Sequence, residues 1–529
     1  ATVGSINDLT DALVENNSVW LGSDPSGTTD TAQENVAVGL ECLDAITTGD
    51  KNVAIGYQAA DALTTALHSV IIGHNAGGAI TTGGDITAIG RDALKSQTTN
   101  PYNFAIGTNA LSLSTTGEKN TAIGTYAMSN DDVTGDNNAG VGYAVLQDLT
   151  SGSSNAALGY WAAPNVTTGS QNTAVGSPSL WTLTTGDENT ALGYVALQST
   201  TTASDNTAVG SNALYANTTG ANNVAVGVDA LDANTTATQN VAIGNGALGA
   251  NTTVSELTAV GHEAANAANG ALGICAIGYK AATDTTGNYA TAVGYQALFT
   301  NTTGANNTAL GWSALRLSTD SANNTGLGYN ALTVNTTGAN NTAVGSSALD
   351  ANTTGSNLVA LGHGALGANL SASYNVAVGV QCGDALTTGD GNVMMGYNTG
   401  TTATTSTQTV LIGYEAGDAI TTASHNTGIG GAALGACTTG GSNTAVGYLA
   451  GGAITGATNN VAVGAYCLDA MTGGGNNVAV GYSAMGAIVT GSNNVAMGQT
   501  ALSAHTSGNQ NVAVGQDALT ANTIGSENT

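Results

Sequence analysis

A glycine returns every seventeen residues along almost the whole chain, and this spacing limits the fold more than any other feature. Aligned on the Gly that closes each Asn-x-Ala-[Val/Ile/Leu]-Gly, the anchors run from Gly22 to Gly124, resume at Gly142 after one extra residue, and continue to Gly278. One residue is lost before Gly294, and the series is then unbroken to Gly515. Thirty anchors span 493 residues (515 − 22), so 493/29 gives a period of 17. Helical-pair repeats need more than about 30 residues, so a unit this short excludes them. Recurrent Gly and Asn-Thr-Thr-Gly would also interrupt any helix.

The residues before the anchor are β-formers, Asn-Val-Ala-Val or Asn-Thr-Ala-Val. Turn signals such as Thr302-Thr303-Gly304 and Thr353-Thr354-Gly355 recur at a fixed offset. The pattern predicts an all-β chain: a parallel β-solenoid, of β-roll or β-helix type, with about 30 coils. Each coil is expected to hold a strand, a turn, a short second strand and a turn. At roughly 4.8 Å per coil, the stack makes a rod on the order of 140 Å long. Composition agrees, because 4% aromatic and 8% charged residues are too few for one conventional core or for a solvated disordered chain. Stacking one unit many times lets small residues bury area.

Each position in the unit has its own chemistry. The residue before the anchor is aliphatic in all thirty coils, and the one before that is Ala in 23 of 30. The next back is nearly always Val or Thr, and the fourth back is Asn in 22 of 30, for example Asn35, Asn52, Asn341 and Asn511. Stacked Asn side chains can bond amide to amide along the stack. The third residue after the anchor is Ala in 23 of 30 and reads as a tight, buried slot. Cys42, Cys382 and Cys467 occupy that slot and Cys275 replaces a Val/Thr, so the cysteines read as small core hydrophobes. Five cysteines without metal or paired spacing give no disulfide framework.

The strict Ala and the strict aliphatic position are adjacent, so the two faces of the strand both carry an apolar ladder. One face is expected to line the interior. The other is expected to pack on further copies of the chain, with small Ala allowing close approach.

With 34 acids against 6 bases (Lys51, Arg91, Lys95, Lys119, Lys280 and Arg316) the net charge is −28. Nothing here can neutralise phosphates, so nucleic acid is excluded as a partner. No apolar run reaches membrane-spanning length, so membrane insertion is not expected, and no signal peptide is visible. The first residue is Ala1 rather than Met, which is compatible with a processed or truncated terminus.

The position after the anchor is Tyr in eleven coils. Tyr279, Tyr295, Trp312, Tyr329, Tyr397 and Tyr414 mark a surface aromatic column with two readings: a platform for sugar rings, or a cover for the coil edge with the hydroxyl in water. His74, His262 and His363 share that position but lie 11 and 6 coils apart, too far to share a metal. Asp50, Glu118, Asp187 and Asp390 follow the Thr-Thr-Gly turn and read as solvated turn acids rather than calcium ligands. Sequons such as those at Asn301 and Asn352 follow from the repeat and matter only in a glycosylating compartment. No nucleophile elbow, P-loop, zinc spacing or carboxylate pair is present, so no enzyme activity, catalytic residue, metal or cofactor is expected.

Residues 1–17 depart from the repeat and read as a lead-in or cap, with Ser5 or Asn7 capping a short helix that carries Leu9, Ala12 and Leu13. Residues 18–529 form the solenoid array, which ends at Thr529 part-way through a coil. That open end is expected to continue or to join another rod.

The recurring "NVAVG", "NTAVG" and "NVAIG" with a downstream Ala resemble the head repeats of trimeric autotransporter adhesins. The variant "NTAVGxxAL…TTG", with the lead-in "NDLTDALVENNSVWLG", is similar to the repeat shafts of bacteriophage tail-fibre proteins. The resemblance implies a homotrimeric fibre, a virion-surface or extracellular location and a role in host attachment, with a glycan or cell-surface receptor as partner. A structural shaft is therefore the leading expectation. A bacterial surface adhesin or extracellular filament is the first alternative, and an ice-binding solenoid built on Thr ladders the second.

Overall fold

The computed structural model describes residues 12–22 and 31–529, and among them every regular element is a β-strand. The chain forms two compact units, Ala1–His262 and Glu263–Thr529. The first holds β1 (Ala12–Glu15), β2 (Ser18–Leu21), β3 (Val36–Val38) and then one three-residue strand per coil up to β16 (Thr258–Val260). The second runs from β17 (Cys275–Ile277) to β31 (Val512–Val514) in the same way.

Within each unit the repeat strands pair in parallel with those of the neighbouring coils. Residues 173–175 lie against 190–192, with Thr173 opposite Thr190, Ala174 opposite Ala191 and Val175 opposite Leu192. Each unit is thus a parallel β-solenoid whose coil is the seventeen-residue repeat. The extra residue before Gly142 is absorbed in a loop, because Thr121 still faces Ala139, and the shortened step still sets Cys275 opposite Thr291.

The expected second strand is absent from the described coils. Up to three non-glycine residues per coil take left-handed backbone angles, as at Ser347 (φ 55°), Leu349 (φ 53°) and Asn357 (φ 58°), and such angles break extended backbone. The rest of the coil is therefore a chain of bends, still bonded to its neighbours through the backbone, as in Leu349 N–H to the Ala365 carbonyl and Ser347 N–H to the Tyr329 carbonyl. At the corner Gly345 has φ 135°, and a Cβ there would stand 2.5 Å from the Gly362 carbonyl oxygen. The period is a glycine period because the corners of successive coils touch.

The interior is built chiefly from Ala, Leu and amide side chains. In the coil of Gly345, Asn341, Ala343, Ala348, Leu349 and Asn352 are all fully buried. The Ala column of the strand therefore points inward, and the aliphatic column beside it points out. This corrects the expectation that Ala would form the contact face between copies. The adjacent pair Ala348-Leu349 is buried on both residues because the left-handed turn at Leu349 cancels the usual alternation. Each buried Leu contributes about 2 kcal/mol, so this row supplies apolar energy that Ala cannot.

The Asn ladder is present. Asn52 donates its backbone N–H (2.9 Å) and its Nδ2 (3.1 Å) to Oδ1 of Asn35, and Nδ2 also reaches the Ala66 carbonyl at 2.8 Å. Each amide thus ties two coils together and spans its own coil. The ladder is unbroken from Asn103 to Asn240. A second ladder occupies the seventh position after the anchor: Asn234 donates to Asn217 Oδ1 (2.9 Å) and Asn352 to Asn335 Oδ1 (2.8 Å).

Ala12 and Leu13 lie in a strand, not a helix. Asn16 (φ 48°) and Asn17 (φ 59°) form a two-residue hairpin turn, with both residues left-handed, and β1 pairs antiparallel with β2. Ser5, Asn7 and Leu9 lie outside the described residues. β2 is held between β1 and β3, and Trp20, in the place of the inner Ala, is fully buried in the first coil.

Candidate functional site

With the interior closed, any recognition belongs to the outward positions. On the strand these are the Val/Thr column and the aliphatic column. Leu158 (51% exposed), Leu192 (45%) and Ile243 (39%) exemplify the first unit, and Leu310 (44%) and Met497 (45%) the second. Neither column contains a charged residue. The acids of the repeat sit elsewhere on the coil, mostly at the second, fifth, eleventh and twelfth positions after the anchor.

The aromatic column is exposed but not continuous. Tyr279, Tyr295 and Trp312 stack nearly parallel, with centroids 5.1 and 4.0 Å apart, and Tyr397 stacks on Tyr414 at 5.6 Å. Tyr329 is also exposed, and Ser346, His363 and Val380 separate it from Tyr397 in the column. Face-to-face stacking covers ring faces, so the five stacked residues form side-chain ladders rather than an open platform. Lys280 adds a cation over the Tyr279 ring at 5.6 Å and pairs with Glu263 at 3.1 Å. The His74 ring lies against Tyr57 at 5.5 Å, tilted by 36°. Among the described residues no group of His, Cys, Asp and Glu is arranged to hold a metal.

The turn acids have a structural task. Asp50 accepts the backbone N–H of Gln33 at 2.7 Å, Asp187 that of Ser170 at 2.7 Å, and Asp390 that of Ser373 at 2.6 Å. Glu118 receives an amide hydrogen of Asn100 at 3.5 Å. A different acidic column stands at the fifth position after the anchor. Burial raises the carboxyl of Asp61, Asp232, Asp350, Asp384, Asp418 and Asp469 above the ordinary aspartate range. Their common offset from the glycine is the signal that could have found them.

Four cysteines are buried, and burial pushes Cys42 and Cys437 up to about 11 and Cys382 and Cys467 up to about 12. Cys275 is different: it stands in the outward Val/Thr column and is only half-buried, which corrects its reading as a core residue. Asn301 and Asn352 are fully buried, so their sequons are closed to modification in the folded chain. His505, also fully buried, takes the place of an Asn in the second ladder and bonds the Gly508 carbonyl at 2.8 Å, as Asn352 bonds Gly355 at 3.0 Å.

Three positions after the anchor, the first, second and fifth, share one outer groove. Tyr194, Val195, Gln198, Asn212, Tyr215 and Asp232 line an open cleft of about 520 Å³ there. Asn212 donates to Asp229 Oδ1 at 2.8 Å, which fixes the amide plane at the cleft wall. No protein-family model matches the chain, and no curated protein is similar to it.

Proposed function

We propose that this chain is a structural fibre protein: a stiff shaft, most simply of a phage tail fibre or similar virion appendage, that takes part in host attachment and assembles as a homotrimer. The outward strand face carries the reading. In a chain of net charge −28, like-charged copies can approach only along a charge-free surface, and the Val/Thr and aliphatic columns are one. The fifteen coils of one unit offer on the order of 1,000 Å² of this surface, against about 800 Å² per partner in a stable interface. A second copy has the same coil spacing, so side chains of the two can mesh coil by coil. The role is mechanical, with stiffness from backbone ladders and the buried Asn rows.

Sedimentation equilibrium tests the assembly. A trimer is expected, and Leu158→Lys with Leu192→Lys is expected to give monomers with an unchanged circular dichroism spectrum. A wild-type monomer at low micromolar concentration overturns it. Immunogold labelling of the source material tests the location: label on virion tails supports the reading, and label on cell envelopes replaces it with a surface adhesin or extracellular filament. That second reading is favoured by the exposed aromatic residues on the flank of the first unit. The Thr rows give ice binding no such support. The eighth-position hydroxyl is engaged by backbone, as in Thr64 to the Thr81 carbonyl and Thr81 to the Thr98 carbonyl at 3.1 Å, which leaves one free Thr column at the turn.

A further inference from the structure

The aromatic residues are not spread evenly over the outer groove. Between residues 126 and 215 six consecutive coils place Tyr126, Tyr143, Tyr160, Trp161, Trp181, Tyr194 and Tyr215 at its first, second and fifth positions. Five of them touch in sequence: Tyr126–Tyr143 at 5.9 Å, Tyr143–Tyr160 at 5.4 Å, Tyr160–Trp161 at 4.9 Å and Trp161–Trp181 at 4.8 Å. Tyr143, Tyr160 and Trp161 stack at 13° and 27°, whereas Tyr126 meets Tyr143 edge-on at 89° and Trp161 meets Trp181 tilted at 46°, so only the middle of the run is a face-to-face ladder. Tyr194 is the most exposed tyrosine of the aromatic column at 63%, and Ser177 and Ser211 hold the same position in the adjacent coils, so no aromatic neighbour in its column covers its faces. Tyr215, 43% exposed, is the second wall of the 520 Å³ cleft.

Charge and rigidity point to the same stretch. From Thr108 to Tyr215 the first, second and fifth positions carry no charged side chain. Lys95 lines the cleft of Tyr126 at one end, Asp148 at the sixth position accepts Asn130 Nδ2 at 2.8 Å, and Asp229 and Asp232 follow at the other end. Ser129, Gln147, Gln198 and Asn212 supply neutral hydrogen-bonding groups between the rings. Two of the four prolines, Pro164 and Pro178, lie within it. The longest unbroken Asn ladder, Asn103 to Asn240, runs beneath it.

We infer that the groove from Tyr126 to Tyr215 is a binding track for an extended, uncharged oligosaccharide. Aromatic faces take the apolar faces of pyranose rings, and amides and hydroxyls take the ring hydroxyls. The coil rise of roughly 4.8 Å is close to the advance of one pyranose along an extended chain, so successive sugars meet equivalent positions. The carboxylates of Asp229 and Asp232 at one end disfavour acidic sugars. This site goes beyond the shaft reading and holds on a virion or a cell surface. Its failure leaves sedimentation and labelling results untouched.

The test is titration of the full chain with neutral gluco-, manno- and xylo-hexasaccharides at up to millimolar concentration. It is read by tryptophan fluorescence, with affinity electrophoresis through the matching polysaccharides alongside. At least one series is expected to bind, about tenfold more tightly as hexasaccharide than as disaccharide. Trp181→Ala and Tyr194→Ser, both on the outer surface, are each expected to weaken binding about tenfold or more, while Trp312→Ala leaves it unchanged. Circular dichroism of each variant checks that the fold is kept. The inference is overturned if no neutral series binds, if the track variants bind like wild type, or if a proline-rich peptide or an acidic glycan is preferred over every neutral sugar.

Discussion

At the scale of single residues, one buried amide ties its own coil to the next. Asn172 donates Nδ2 to the Gly186 carbonyl (2.8 Å), and its Oδ1 receives both the N–H and the Nδ2 of Asn189 (2.9 and 3.1 Å). Asn172→Ala leaves a buried carbonyl and a buried N–H without partners, at a cost of about 3 kcal/mol. Urea unfolding checks the magnitude, and amide exchange is expected to rise first in the coils flanking the substitution. Thiol chemistry supplies a second check. Burial holds Cys42, Cys382, Cys437 and Cys467 in the neutral, enclosed form, so a disulfide reagent at neutral pH is expected to label Cys275 alone in the folded monomer, Cys275 more slowly in the proposed trimer whose contact face carries it, and all five in denaturant. More than one rapidly labelled thiol in the native state contradicts the assigned burial. The first Asn ladder was legible in the sequence because an amide repeated beside a strand has one economical use. The second was not, because Asn352-Thr353-Thr354 also spells a turn and a sequon, and only the fold shows Asn352 turned inward.

At the scale of the element, the coil depends on where glycine is needed and where it is merely present. Gly345→Ala puts a Cβ against the next coil's carbonyl at a φ of 135°, and a loss of about 3–4 kcal/mol is expected. Gly364 has φ 63° and open space, the nearest atom to its missing Cβ being Gln381 Cγ at 3.8 Å. Gly364→Asn is therefore expected to change stability by no more than about 0.5 kcal/mol, since Asn accepts the left-handed angle. Thermal melts of the two variants check the contrast, and equal effects would refute it. The period, the strand and its register could be read from the chain, because each needs only the spacing of Gly and β-branched residues. The second strand could not be judged correctly. Alternation assumes extended backbone, and the left-handed residues typified by Leu349 remove that assumption without leaving a compositional trace. The lead-in failed for a related reason: Leu13 suits a helix, yet Asn16-Asn17 is a hairpin turn.

At the scale of the whole molecule, electrostatics opposes the fold at neutral pH. Six of the seven fifth-position aspartates are raised chiefly by burial, with nearby acids adding at Asp61, Asp232 and Asp418. A carboxyl whose folded value lies above its unfolded one contributes stability below the ordinary range near 3.8, and that contribution is lost as pH rises through the folded value. The net charge of −28 acts in the same direction. The melting temperature is therefore expected to rise as pH is lowered from neutral towards 4, and a steady fall over that range would contradict the placement of these carboxyls. The groove and its aromatic track were only partly legible, because three separated positions share one surface solely through the left-handed bends between them. The hairpin at the start of the first unit carries one more consequence. Among the described strands, β1 and β2 alone make an antiparallel pair closed by a two-residue turn, so this corner can form without a template. Every later coil finds its hydrogen-bonding partner about seventeen residues back, whatever the length of the array. Folding of the first unit thus has a seed at one end and a direction, and it can keep pace with a chain that emerges residue by residue from its amino terminus.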